Sequence, residues 1–123
     1  MEIINDTLKK VEPKDISDGF FNIPSNITII DNNAFDGCDN LINVILPENI
    51  IQINEGAFNN CNNIERIITP WGISNIKNKN TREICINYLY LLANSILKEK
   101  YNSIDEFLSN PYISDLVMEE IQL

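Results

Sequence analysis

The sequence predicts an α/β repeat fold, a short solenoid with a helical C-terminal cap, and three observations carry that expectation. Shifted by 23 residues, IPSNITIIDNNAFDGCDNLINVIL, which starts at Ile23, falls onto LPENIIQINEGAFNNCNNIERIIT, which starts at Leu46. A fixed period of this size, with apolar residues in phase and polar ones drifting, is the mark of stacked repeats. Within each copy the spacing of Leu41, Val44 and Leu46 suits a strand that sends alternate side chains inward. After Asn80 the 23-residue phase is lost and apolar residues recur at helical spacing.

Taken in order, the chain divides into an N-terminal arm or cap over residues 1–14, repeats over 15–76 and a helical cap over 77–123. In the arm, Ile3, Ile4, Leu8 and Val11 have helix-like spacing, and no long apolar run follows the charges as a secretory signal requires. Pro13 and Gly19 read as bends, and Phe20 to Ile23 as a degenerate first strand with Phe21 in the register of Val44 and Ile67. Pro47 ends the next strand. Ile50, Ile53, Ala57 and Phe58 then form a return arm that is turn-like or short 3₁₀, with Phe58 stacked beneath Phe35. The Asn-rich stretch Asn59 to Asn63 suits the turn back, because Asn tolerates left-handed backbone and bonds local main chain.

A third copy begins at Trp71, with Ile73 in the phase of Ile50 and Ile76 in that of Ile53, and stops at Lys77. Asn80 with Glu83 forms a capping-box-like start to a helix running to about Lys98, apolar on most of its circumference through Ile84, Tyr88, Leu91, Leu92 and Ile96. Ser103 with Glu106 opens a second helix, and Asn110-Pro111 a third carrying Ile113, Leu116, Val117 and Ile121. The expected task of these helices is to shield the last coil, whose strand from Ile64 to Thr69 is otherwise an open edge. A separate partner-binding module is the other reading.

The string I-x-x-N-A-F-x-G-C-x-N-L-x-x-V-x-L-P, Ile30 to Pro47, and its copy from Ile53 to Pro70 resemble the BspA-like leucine-rich repeat family. The resemblance covers about two repeats and a strand. It implies a leucine-rich-repeat solenoid that acts as a binding module, with no catalytic residues to carry over.

Composition narrows the function further. A net charge of −9 argues against direct grip on nucleic acid or an anionic membrane, both of which need a positive field. The chain has no His, the commonest general base and zinc ligand, and no Gly-rich phosphate loop. DNNAFDGCD fails as a calcium loop, since placing Gly37 sixth puts Ala34 third and Asn43 twelfth, where carboxylates belong. Neither catalytic residues, metal nor cofactor is expected. Cys38 and Cys61 fall one coil apart and read, with Cys85, as buried thiols rather than a disulfide. The abundance of Asn and Ile reads as base composition of the coding sequence.

The partner is expected to be another protein, bound on the outward strand positions Phe20, Asn22, Asn43, Ile45, Arg66 and Ile68, since apolar side chains there are not needed for folding. The expected function is a non-enzymatic protein-protein interaction module in the cytoplasm, or the cytoplasm of a host cell if the source is viral. The alternative is a small acidic inhibitor that occupies a basic nucleic-acid-binding surface of a target protein.

Overall fold

A computed structural model describes residues 1–96 and 103–109. Over these residues the chain runs β1 (Glu2–Ile4), β2 (Thr7–Lys10), a 3₁₀ turn (Pro13–Asp15), β3 (Phe20–Asn22), β4 (Ile29–Ile30), β5 (Asn43–Ile45), β6 (Gln52–Ile53), β7 (Arg66–Thr69), β8 (Gly72–Asn75), α1 (Thr81–Ile96) and α2 (Ile104–Ser109). The strands form two four-stranded sheets, ordered β1-β2-β4-β6 and β3-β5-β7-β8.

The parallel ladders follow the 23-residue phase. Phe21 pairs with Val44 and Val44 with Ile67, which confirms the register expected of the degenerate first strand. On the opposite sheet Leu8 pairs with Ile30 and Ile30 with Ile53. Between the sheets the inward residues bury one another: Phe35 and Phe58 lie face to face, with ring centroids 4.7 Å apart and planes 7° from parallel, and Phe21 meets Phe35 edge-on. Each such ring removes about 1.5–3 kcal/mol worth of apolar surface from water. A single coil has nothing to bury its face against, so the stack is the smallest unit that can fold.

Asparagine has a physical task here that base composition does not convey. Asn54, Asn60 and Asn62 donate amide hydrogens to the carboxylates of Asp31, Asp36 and Asp39, one coil away, at 3.0, 2.8 and 3.3 Å. Asn40, Asn49 and Asn63 reach main-chain carbonyls of the preceding coil, at Pro13, Ser25 and Asp39. Asp31 and Asp39 have Asn54 and Asn62 at the same repeat position one coil on, so donors meet acceptors where identical residues would stack like charges.

Four expectations change. The N-terminal residues form a hairpin rather than a helix: β1 and β2 are antiparallel, with Asn5 at φ 56° in the turn, and β2 extends the return-arm sheet. Helical spacing over so few residues yields to a ladder that buries both Leu8 and Val11. The return arms also carry more than turns, because β4 and β6 are short parallel strands.

The third copy does not continue. Gly72–Asn75 turns back as β8, antiparallel to β7, pairing Ile68 with Ile73 and Thr69 with Gly72. The Thr69 hydroxyl donates to the Gly72 carbonyl at 3.0 Å and accepts from the Trp71 N–H at 3.2 Å, while Gly72 takes φ 146°, which L side chains rarely adopt. The edge of β7 is consequently covered by a strand, where the sequence reading gave that task to helices.

Helix α1 packs on the other exposed part of the last coil, its core cross-section. Asn80 caps it by accepting from the Glu83 N–H at 2.8 Å. The Phe58 N–H, whose counterpart in the previous coil bonds Ala57, donates to the Thr81 hydroxyl at 3.1 Å. Tyr88 donates to the Pro47 carbonyl at 2.7 Å, Lys79 to the carbonyls of Ile64 and Ile76, and Ser74 to the buried Asn87. Ser103 caps α2 through the Glu106 N–H. The expected helix end at Lys98 and the third helix from Asn110 lie outside the described residues.

Candidate partner-binding face

The outward face of the β3-β5-β7-β8 sheet is set by strand alternation. Phe21, Val44 and Ile67 point into the core, so their neighbours form two outward ranks across the strands. One rank is Phe20, Asn43, Arg66 and Asn75; the other is Asn22, Ile45, Ile68 and Ile73. Phe20 is 45% exposed, Asn22 is exposed, and Ile45, Arg66 and Ile68 are half-buried.

Asn43 departs from the expectation. It is 5% exposed, because the Arg66 guanidinium lies over it and donates to its Oδ1 at 2.5 Å. A second guanidinium nitrogen meets the Glu65 carboxylate at 3.1 Å. Asn43 therefore orients Arg66 rather than offering its own amide to a partner.

Ile73 is the residue that sequence reasoning missed. At 62% exposure it extends the Ile45 and Ile68 rank across β8, whereas the repeat phase had placed it inward with Ile50. The signal available was Thr69-Pro70-Trp71-Gly72, a turn sequence at a place where the two earlier copies have Pro-Ser-Asn and Pro-Glu-Asn.

Asn22, Ile45 and Ile68 also line a groove of about 550 Å³, together with the aligned Pro24, Pro47 and Pro70 and with Ser25, Glu48 and Asn49. Rigid proline rings and aliphatic side chains line this groove beside the polar Glu48 and Asn49, a mixture suited to a contact site. Its sides offer little acid-base chemistry.

The thiols are equally unsuited to it. Burial pushes Cys61 and Cys85 up to about 12 and raises Cys38, so all three stay protonated near neutrality. Cys38 and Cys61 are free and buried, as expected from sequence, and donate to the carbonyls of Val11 and Phe35. Among the described residues no group of three or more Cys, Asp or Glu is placed to hold a metal ion, and no helix is long and apolar enough to cross a membrane.

Residues 15–119 match the model of the BspA type leucine-rich repeat region, built of 6 copies. The chain belongs to the BspA-type leucine-rich repeat family. A solved structure, that of a leucine rich cell surface protein from Faecalibacterium prausnitzii A2-165, is similar at 35% identity over 42% of this chain, with a TM-score of 0.40. This BspA-type chain spans 14% of that protein's length. No curated protein matches it. Leucine-rich repeats in general mediate protein-protein interaction and are typically non-enzymatic, and no catalytic family is indicated.

Proposed function

We propose that this BspA-type chain is a non-enzymatic interaction module, a short solenoid capped by α1, that binds a partner protein on the outward face of the β3-β5-β7-β8 sheet. The observation that carries the reading is the groove, which Ile45 and Ile68 line together with three aligned prolines. Arg66, held over Asn43, is the charged contact beside it. Interface centres gain most from desolvated aliphatic groups and Arg, and both occur here in adjacent ranks.

The test compares proteins captured by the wild type and by Ile45→Asp/Ile68→Asp from a lysate of the source cells. Both side chains are half-buried, so each change costs about 1 kcal/mol and leaves the fold intact at room temperature. Capture is expected to vanish while circular dichroism stays native. Ile51→Asp, on the exposed side of the return arm, is expected to capture normally. Equal capture by the Ile45/Ile68 variant, or its unfolding, overturns the reading.

One observation favours the acidic inhibitor as a second reading. Between Lys14 and Arg66 the chain has eight carboxylates, Asp15, Asp18, Asp31, Asp36, Asp39, Glu48, Glu55 and Glu65, and no Lys or Arg. Binding of that kind would collapse as salt rises from about 50 to 200 mM, because screening shortens the reach of exposed charge. Salt-insensitive capture removes it.

A further inference from the structure

We infer that the open edge of β8 pairs with the same edge of a second copy of this chain, joining two sheets into one. The inference begins with the alternation of the β7-β8 ladder. The Ile76 N–H donates to the Glu65 carbonyl at 2.7 Å, so in antiparallel geometry the pairs Ile67 with Ser74 and Thr69 with Gly72 are the hydrogen-bonded ones. The main-chain groups of Ile73 and Asn75 therefore face away from β7. Among the described residues nothing pairs with them.

Sheet edges are normally blunted by charge, proline or a bulge. The opposite edge of this sheet is closed at Phe20, one of its two outward residues: Ser17 and Phe20 exchange both main-chain bonds, at 3.1 and 2.8 Å, around an Asp18-Gly19 turn with φ 51° and 82°. β8 has no such device. From Ile67 to Ile76 there is no charged residue, in a chain of which 22% is charged, and Ile73 is exposed.

A second copy fits this edge by symmetry. Setting Ser74 against Ser74 of the other copy about a two-fold axis pairs each Ile73 with the other copy's Asn75 in the hydrogen-bonded register. Four main-chain bonds close, and the contact is isologous, so it stops at two copies. The charge of −9 on each copy opposes approach from a distance, yet no like charges meet at the edge itself. Pairing must then strengthen with salt, the reverse of a contact held by opposite charge. Ile45 and Ile68 stay open in the pair.

Sedimentation equilibrium of the full chain is the test, run in about 0.1 M and 1 M salt, where the Debye length falls from about 10 to 3 Å. The expected result is a monomer to dimer equilibrium that tightens with salt. Asn75→Pro removes an outward N–H that the β7 ladder does not use, a position where an edge strand accepts proline. It takes two bonds from the symmetric contact and should weaken dimerisation about ten- to hundredfold. Ile73→Pro, which removes the other outward N–H and likewise leaves the β7 ladder intact, should do the same and decides the matter if the Asn75 variant misfolds. A wild type that stays monomeric in high salt, or dimerises as well with a folded Asn75→Pro or Ile73→Pro, overturns the inference.

Discussion

Phe58→Ala tests the stacking on which the fold depends. Phe58 is 1% exposed and lies between the Phe35 ring on one side and the start of α1 on the other. Truncation loses the transfer energy of the ring and leaves a hole that two sheets and a helix cannot close together, which places the cost at about 3–5 kcal/mol. A chain of 123 residues has roughly 6–18 kcal/mol of total stability, so the variant loses a large share of it. The melting temperature should fall by roughly 10–25 °C, with the urea midpoint lowered and the slope unchanged. Because Phe35 touches both Phe21 and Phe58, a double-mutant cycle with Phe35→Ala should give a coupling of about 0.5–1.5 kcal/mol from the face-to-face pair. A loss below about 1 kcal/mol in Phe58→Ala, or strict additivity in the cycle, refutes the stacked register.

A fragment ending at Lys79 keeps β8 and loses α1, so Phe58, Ile64 and Ile67 face water at one end; it should aggregate or unfold, and a monomeric fragment with a cooperative melt would refute the capping role. The partly exposed ion pair of Lys9 with Asp31, at 2.5 Å, adds to the pH dependence of stability at both extremes. The Lys9 ammonium, the Asn32 N–H and Asn54 hold the Asp31 carboxyl below its ordinary 3.8, so its contribution is complete above that value and is lost as pH falls through the lower folded value. The hydrogen bond and charge of Asp31 raise Lys9 above 10.5, so that contribution is complete below 10.5 and is lost as pH rises through the raised value. Asp31→Asn should flatten only part of the acid limb of a melting temperature against pH plot, since Asp15 is also held below its ordinary value, and should leave most of the alkaline limb, where the buried thiols of Cys61 and Cys85 and the Tyr88 hydroxyl, pushed up to about 12, lose their protons on unfolding; an acid limb of unchanged slope refutes the role of Asp31.

What was legible in the sequence is what a period can encode. Val44 and Ile67 fall into register because inward positions admit only apolar residues, and that restriction repeats every 23 residues. Phe35 over Phe58 follows for the same reason, as does the burial of Cys38 and Cys61. Asn43 was misplaced because alternation says which side of the sheet a residue leaves from, and not whether a neighbour then covers it. Arg66 sits on the next strand of the same rank, and its long side chain is what buries the amide.

Ile73 was misplaced for a different reason. An apolar phase reports that a residue is apolar at a given step, and carries no information on chain direction. Ile73 and Ile76 matched the phase whether the chain advanced into a third coil or reversed against β7, and the reversal is set by one hydroxyl at Thr69 and one unusual φ at Gly72. These are single-residue properties with no period.

The same reversal links the end of the repeat to the surface it leaves behind. A stack of coils has two things to close at its end, a core cross-section and a row of main-chain donors and acceptors. Here they are met by different elements: α1 lies against the cross-section with Thr81, Ile84 and Tyr88, and β8 takes up the groups of β7. A helix satisfies its own main chain and ends the problem, whereas a strand passes it on, since β8 brings its own outward N–H and C=O groups at Ile73 and Asn75. Closing the sheet with a strand therefore transfers the open edge by one position, from the apolar interior of the repeat to an uncharged stretch at its rim.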